Sequence, residues 1–247
     1  MGIVTVITSG KGGAGKSTVA AGLGFALAKM GRKVVLMDGD AGLRSLDLML
    51  GITERMVFDM SDIFEGNCEP IRAVYASSIC ENVSVVPAPA SLDKMCCPDD
   101  MRRLCGGFAR YYDHVLVDCP AGIGSGFACA IAGANRALVV STPDMICARD
   151  AQIVAALLEN NNIPARLVIN RLRPAAVMSG RMPDIDEIID IAGIQLIGVL
   201  PEDEQVTIAN ANGRPLPDSS DAAMCFSNIA CRYLGKHVPL ARLDKMI

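Results

Sequence analysis

A chain of 247 residues is long enough for one α/β domain and does not demand two. A formal net charge of −4 and a pI of about 5.2 leave no global field to draw it to nucleic acid, so a local basic patch would be needed. Hydrophobic residues make up 51% and aromatics only 4%, with no tryptophan, so Val, Ile, Leu, Met and Ala must build the core, as in parallel sheets covered by helices on both faces. No apolar run reaches the roughly 18 residues that span a membrane. Met1-Gly2-Ile3-Val4 enters a strand at once, which predicts no signal peptide, and Val6 at the sixth position argues against myristoylation. None of the ten cysteines forms a C-x-x-C pair, so a zinc ribbon or dithiol motif is not expected. Reduced thiols in a cytosol, several serving as small core residues, are the expectation.

The first predicted strand, Ile3 to Thr8, is a β-branched run that feeds Gly10 to Thr18, GKGGAGKST. The spacing is G-x-x-x-x-G-K-S/T, and Ser17 to Met30 behind it reads as a helix. Strand, loop and helix together make this a phosphate loop. Its backbone N–H groups, from Gly12, Gly13, Ala14 and Gly15 through Lys16, Ser17 and Thr18, can turn inward toward phosphate oxygens at a helix N-terminus. Lys16 would reach the β- and γ-phosphates, and the Ser17 hydroxyl would complete a Mg²⁺ shell.

A second lysine, Lys11, follows the first glycine, where an ordinary phosphate loop has no need of one. This K-G-G-x-G-K-S/T variant resembles the deviant phosphate-loop ATPases, the family of MinD, ParA, the arsenite-pump ATPase and the nitrogenase iron protein. The resemblance implies that Lys11 crosses a dimer interface to the phosphates of the partner's nucleotide.

Farther along, Lys33 to Met37 predicts a second buried strand that ends at Asp38-Gly39-Asp40. Two carboxylates at a strand end can hold water on Mg²⁺ and orient an attacking water; either alone could instead cap a helix or turn. The stretch D-x-D-x-G-L-R-x-L-D resembles switch I of the MinD-type ATPases. That likeness implies that Asp40 is needed for hydrolysis and that Asp38 lies near the metal shell. Val83 to Val86 predicts a third strand, stopped by Pro87 and Pro89, and Asp99 to Arg110 a helix. The strand His114 to Val117 ends at Asp118, a Walker B pattern in which a carboxylate contacts Mg²⁺ through water. Asp118-Cys119-Pro120-Ala121-Gly122 resembles the D-x-P-A-G switch II of the same ATPases.

Beyond it come a helix around Ser125 to Ala134, the strand Ala137 to Ser141, a helix near Ala148 to Glu159 and the strand Arg166 to Ile169. Asn170-Arg171 ends that strand. Ile185 to Ile191 is predicted helical, Leu196 to Leu200 a strand ending at Pro201-Glu202-Asp203-Glu204, and Asp221 to Leu234 a final helix. An asparagine amide offers both a donor and an acceptor, which suits adenine and mismatches guanine, and no N-K-x-D guanine motif occurs. The resemblance implies that Asn170 reads the adenine edge and that the loop Pro201, Glu202, Asp203 lines the base; a strand-end turn and a strand stopper are the structural alternatives.

Alternating strands and helices predict a single doubly wound, mostly parallel sheet with helices on both faces, residues 1–247 forming one phosphate-loop ATPase domain. Ligands on such sheets bind at the carboxyl ends of strands, where each motif falls. The resemblance to MinD-type ATPases runs from Ile3 to about Leu234 and includes Arg149-Asp150. It implies ATP and Mg²⁺, slow hydrolysis and a nucleotide-dependent homodimer that works as a switch in division-site placement or a related positioning process. Regulatory partners of the MinC and MinE kind are implied with it. A ParA-like DNA-partitioning ATPase and a flagellar-number ATPase are the alternatives within the family, although the net charge argues against nucleic acid. A cysteine-based metal or electron carrier is the alternative outside it; Cys129 falls near one cluster-ligand position, but no glycine-flanked second cysteine accompanies it.

The end of the chain departs from the family. Residues 236–247 stand where relatives carry a basic amphipathic helix that binds anionic lipid. Leu240, Leu243 and Ile247 share one helical face, with Arg242 and Lys245 elsewhere, over only two turns without an aromatic. Such a tail should bind a membrane weakly, which predicts a cytoplasmic protein at most peripheral to the inner face of the cell membrane. His114 and His237 show no partner pattern and are expected to be structural or solvated.

Overall fold

The computed structural model describes residues 1–40, 44–52, 56–89 and 97–241. Gly42 and Leu43 of the switch I stretch, Cys96, and Leu243 and Ile247 of the tail lie outside these residues.

The strands are β1 (Ile3–Thr8), β2 (Val34–Asp38), β3 (Tyr75–Ala76), β4 (Val83–Val86), β5 (His114–Asp118), β6 (Arg136–Ser141), β7 (Ala165–Leu172) and β8 (Leu196–Pro201). They form one sheet in the order β3-β4-β2-β5-β1-β6-β7-β8, parallel throughout except for the antiparallel pair β3 and β4. The helices are α1 (Lys16–Lys29), α2 (Ser45–Met49), α3 (Met60–Phe64), α4 (Pro98–Phe108), α5 (Ser125–Ile131), α6 (Met145–Asn160), α7 (Pro174–Met178), α8 (Ile185–Ala192), α9 (Glu204–Ala211) and α10 (Asp221–Tyr233).

Pleating sends alternate residues of each strand to opposite faces, and both faces are dry. Val4, Val6, Val35, Met37, Val115, Val117 and Val139 pack on one side with Leu104, Phe127, Val154 and Ile188 from α4, α5, α6 and α8. Ile7, Val34, Leu36, Leu116, Leu138 and Val140 pack on the other with Leu23 and Leu27 of α1, Leu46 of α2 and Phe226 and Ile229 of α10. This two-sided burial explains why the central strands read as continuous apolar runs rather than as alternating ones.

Predicted strands and helices appear within a few residues of their expected bounds. The short elements α2, α3, α7, α9 and β3 were not predicted. One difference carries consequences for the site: β7 continues past Asn170-Arg171 to Leu172, with a break in its pairing to β8 between Ile169 and Leu172 and Arg171 at φ 58°. A bulge of this kind re-aims a side chain beside a site, and here it aims Asn170. His114 is structural, as expected: it is buried, its ring stands edge-on to Tyr233, and its Nδ1 lies 3.3 Å from the Tyr233 hydroxyl.

Among the described residues, no helix is long and apolar enough to cross a membrane. Cys105, Cys119 and Cys225 are buried free thiols whose pKa values burial pushes up to about 12, 12 and 11, as expected of core residues rather than redox centres. No group of three or more His, Cys, Asp or Glu among the described residues could hold a metal unaided.

Candidate nucleotide site

The chain leaves β1 through α1 toward β2 on one side and leaves β5 through α5 toward β6 on the other. The crevice where the winding reverses is where ligands sit on sheets of this kind, and the phosphate loop stands at its mouth. Gly15 occupies the cap position of α1 at φ 94° and ψ 34°, a left-handed conformation that a side chain strains to adopt. Gly13 is left-handed too, at φ 81°. These turns bring Gly12, Gly13 and Ala14 ahead of the first turn of α1, formed by Lys16, Ser17, Thr18 and Val19. That turn carries no side-chain cap; Val19 N donates to the Gly15 carbonyl at 2.9 Å, while the N–H groups ahead of it and the positive end of the helix remain available to an anion. Lys16 is buried, with 6% of its surface exposed, and Lys11 is exposed at the loop edge.

Two acids face this loop from adjacent strand ends. Asp38 and Asp118 are partners in the parallel register of β2 and β5, and Ile7 of β1 pairs with Asp118 on its other side. Asp38 is held by backbone N–H donors, Asp40 N at 3.0 Å and Leu46 N at 3.3 Å. Burial nevertheless raises its pKa to about 6, with the charges of Asp40 and Asp47 adding to the effect. Asp118 is 0% exposed, and burial next to Asp38 pushes its pKa up to about 8. Ser17 comes near enough to hold that value down in part, yet neither carboxylate oxygen meets a donor in hydrogen-bond geometry. A buried carboxylate with no donor is costly unless a cation or water is meant to meet it, and Asp118 is aimed at the loop where one would sit. The donor set of one hydroxyl and two carboxylates, all oxygen, suits Mg²⁺ with phosphate and water completing its shell. Asp40 is half-buried; burial raises its pKa and the charge of Lys16 lowers it, which puts the two groups in one local field.

Asn170 enters from β7, 5% exposed, and its Nδ2 donates to the Ala14 carbonyl at 2.8 Å. A Cβ built on Gly15 would stand 2.2 Å from that same nitrogen. The residue read from the sequence as a base reader is therefore first a brace for the phosphate loop. Asp203 spends its carboxylate as the cap of α9, accepting from Gln205 N, and Glu202 pairs with Arg173. Arg171 is exposed on the bulge and Pro201 is buried at the end of β8. The structure thus gathers Lys16, Ser17, Asp38, Asp40, Asp118 and Asn170 around one loop. It leaves Arg171, Glu202 and Asp203 on a rim.

Several supports were missed in the sequence. Asp150 of α6 closes against Gly10, where a Cβ would meet its side chain at 2.5 Å. Asn210 of α9 donates to the Thr18 hydroxyl at 3.2 Å, tying α9 to the loop helix. Arg44, at φ 41°, donates to the Ala88 carbonyl at 3.1 Å and pairs with Asp59 at 2.6 Å, clamping the start of α2 to the end of β4. Asp144 caps α6. Burial alone would raise its carboxyl, but donors from Thr142 and Cys147 and the charge of Lys11 bring it below its ordinary range. Arg149-Asp150 and the arginine of the switch I stretch, Arg44, left a visible trace in the sequence, but not the contacts they make, which join residues far apart in it.

Residues 5–216 match the CobQ/CobB/MinD/ParA nucleotide binding domain. The chain is 39% identical over 251 residues to the septum site-determining protein MinD of Bacillus subtilis, covering 99% of this chain and 94% of that one. Its structure superposes on MinD of a MinC–MinD cell division complex from Aquifex aeolicus with a TM-score of 0.91 at 35% identity, over 97% of this chain and 98% of that one. It superposes also on MinD with Mg-ADP from Pyrococcus horikoshii, with a TM-score of 0.86 at 29% identity, over 94% of this chain and 96% of that one. With the phosphate loop, the paired strand-end acids and this likeness along nearly the whole chain, the protein belongs to the CobQ/CobB/MinD/ParA nucleotide-binding family, on its MinD branch, and is an ATPase of that kind.

Proposed function

We propose that the chain is an ATP-driven dimerisation switch, hydrolysing ATP slowly and serving division-site placement. The observation that carries this reading is the buried, unpartnered carboxylate of Asp118 beside Asp38 at the mouth of a phosphate loop. Gly12 to Thr18 would hold the phosphates through backbone N–H groups, and Lys16 would set its charge against the β- and γ-oxygens. The Ser17 hydroxyl, with Asp38 and Asp118 through water, would hold Mg²⁺. When bound, the ion supplies positive charge to the oxygens that gain negative charge in phosphoryl transfer. Asp40, in the field of Lys16, would orient the attacking water. Asn170 would keep one amide N–H on the loop and offer its Oδ1 to the adenine amine, with Arg171, Pro201, Glu202 and Asp203 on the base rim.

Lys11 lies beyond what the phosphates of one subunit require, and we assign it to the nucleotide of a second copy. A partner that prefers one state of the switch gains control of it with only about 1–3 kcal/mol of coupling. The Aquifex relative was solved with MinC, which supports a partner of that kind for this chain. The protein would be cytoplasmic, with residues 236–247 in the place of the family's membrane helix giving at most weak contact with the inner face of the membrane. Sedimentation with acidic vesicles, in ATP and in ADP, tests that point; strong ATP-dependent pelleting lost on truncation at Gly235 contradicts it.

Calorimetric titration with ATP and Mg²⁺ tests the site itself. The wild-type chain should bind and release phosphate slowly, and Lys16→Ala should lose binding. Unchanged affinity in that variant refutes the phosphate-loop assignment.

A further inference from the structure

At the edge of the sheet opposite the phosphate loop, the amino ends of β1, β6, β7 and β8 meet the carboxyl end of α10. They enclose a cavity of about 550 Å³ lined by Arg136, Arg166 and Arg232, with Pro164, Ile197 and Tyr233 among its walls and no carboxylate in its lining. Three guanidinium groups share one concavity on a chain whose net charge is −4. Among the described residues, none of the three is in an ion pair.

Two of the three are fixed in place. Arg136 opens β6. Its guanidinium lies 3.6 Å over the Tyr233 ring, its Nε donates to the Thr5 hydroxyl at 3.3 Å and its Nη1 to the Tyr233 carbonyl at 3.1 Å. Its Nη2 is buried and has no hydrogen-bond partner. Arg232 donates to the carbonyls of Ile197 at 2.8 Å, Val238 at 2.8 Å and Pro239 at 2.6 Å. Among the described residues, only neutral dipoles and the negative end of α10 balance these charges. Arg166, the second residue of β7, is exposed at the mouth. Two fixed guanidinium groups held by neutral acceptors leave uncompensated positive charge at the cavity wall, and an oxyanion in the cavity would balance it. Guanidinium groups match the geometry of phosphate oxygens through parallel N–H donors, and their prior fixation lowers the entropy that a ligand must overcome.

We propose that this cavity is a second anion site, distinct from the nucleotide site, for a soluble small molecule bearing a phosphate group. The volume falls within the usual range for small-molecule pockets, about 300–1,000 Å³. Arg136 and Arg232 are the fixed wall charges and Arg166, exposed at the mouth, is the charge free to meet the ligand directly.

Inorganic pyrophosphate is the probe. Because the phosphate loop also attracts it, the full-length protein is first saturated with ADP and Mg²⁺, and ADP binding is verified by its own titration. That step separates a failure of the nucleotide reading from a failure of this one. Calorimetry should then show saturable binding of one pyrophosphate per chain. Arg166→Gln breaks no side-chain hydrogen bond or ion pair among the described residues and should weaken that binding roughly tenfold or more, the worth of one charged hydrogen bond. Arg136→Gln, which removes a wall charge, should weaken it as well, with circular dichroism and thermal melting reporting whether that variant folds. Absence of binding in the millimolar range, or equal binding in wild type and Arg166→Gln, overturns the proposal. So does sedimentation of the ADP-loaded protein with phosphatidic acid vesicles, lost in Arg166→Gln, when pyrophosphate fails to bind, since the cavity would then serve a membrane surface.

Discussion

Asn170→Ala separates the two roles that this side chain combines. In the structure its Nδ2 donates at 2.8 Å to the Ala14 carbonyl inside the phosphate loop, and Asn170 is 5% exposed. Truncation leaves that carbonyl buried without a donor, which costs about 1–3 kcal/mol, toward the lower end if water enters the space vacated. The loop must then be ordered by the nucleotide itself, so the cost falls on affinity, roughly a 5- to 150-fold loss. A brace acts on every nucleotide alike, whereas an adenine contact acts on adenine alone. Calorimetric titration with ADP and with GDP reads both. The expected result is a loss for both nucleotides, with an additional loss for ADP from the missing Oδ1. Unchanged GDP affinity in a folded variant would refute the brace, and an ADP-to-GDP preference equal to that of the wild type would refute the base contact.

Gly15→Ala forces a side chain into φ 94° and drives its Cβ to 2.2 Å from the Asn170 amide, so nucleotide binding should be lost while circular dichroism stays native; retained ADP binding contradicts the loop geometry. Asp118→Asn removes a buried carboxylate that meets no donor. The nucleotide-free protein should gain at least about 1 kcal/mol, roughly 2–4 °C in Tm for a chain of this size, and lose ATP hydrolysis; a lower Tm or retained turnover counts against the assignment. Burial, then the charge of Arg136, lowers the His114 pKa from 6.5 to about 4. The unfolded chain therefore takes up this proton first, and stability present above about pH 6.5 drains away as pH falls toward 4. The full shift equals about 3 kcal/mol, discounted to ~1–2 for a ring near the sheet's edge. Urea unfolding at pH 7 and pH 5, with an NMR titration of the ring, checks this, and a ring midpoint near 6.5 would refute it.

What the sequence made legible follows from burial. Val4, Leu36, Val117 and Val139 lie in strands dry on both faces, so their runs are continuous and the parallel sheet could be read from them. The acids Asp38, Asp40 and Asp118 stood out because strand ends in such sheets are where chemistry is held. Elements of five residues or fewer, such as α2, α3, α7 and β3, are too short to express a period. The bulge at Arg171 was hidden because arginine does not announce a positive φ as glycine would. Asp203, expected in the loop that lines the base, also caps α9, a role that its loop sequence did not announce. Asn170 on Ala14, Asp150 on Gly10 and Asn210 on Thr18 are contacts across the fold, invisible until β7, α6 and α9 are placed beside the loop. The fold and the grouping of the candidate site residues were therefore readable, and the scaffold that stiffens that site was not.

The central claim is that ATP joins two copies of the chain and that hydrolysis parts them. Sedimentation velocity on Asp40→Ala, with ATP and Mg²⁺ and separately with ADP and Mg²⁺, tests it most directly, because this variant should bind ATP without consuming it. The account predicts a species of twice the chain mass in ATP, a monomer in ADP, and a monomer in both when Lys11→Ala is added. A monomer in ATP for Asp40→Ala, or an undiminished dimer once Lys11 is removed, would contradict it.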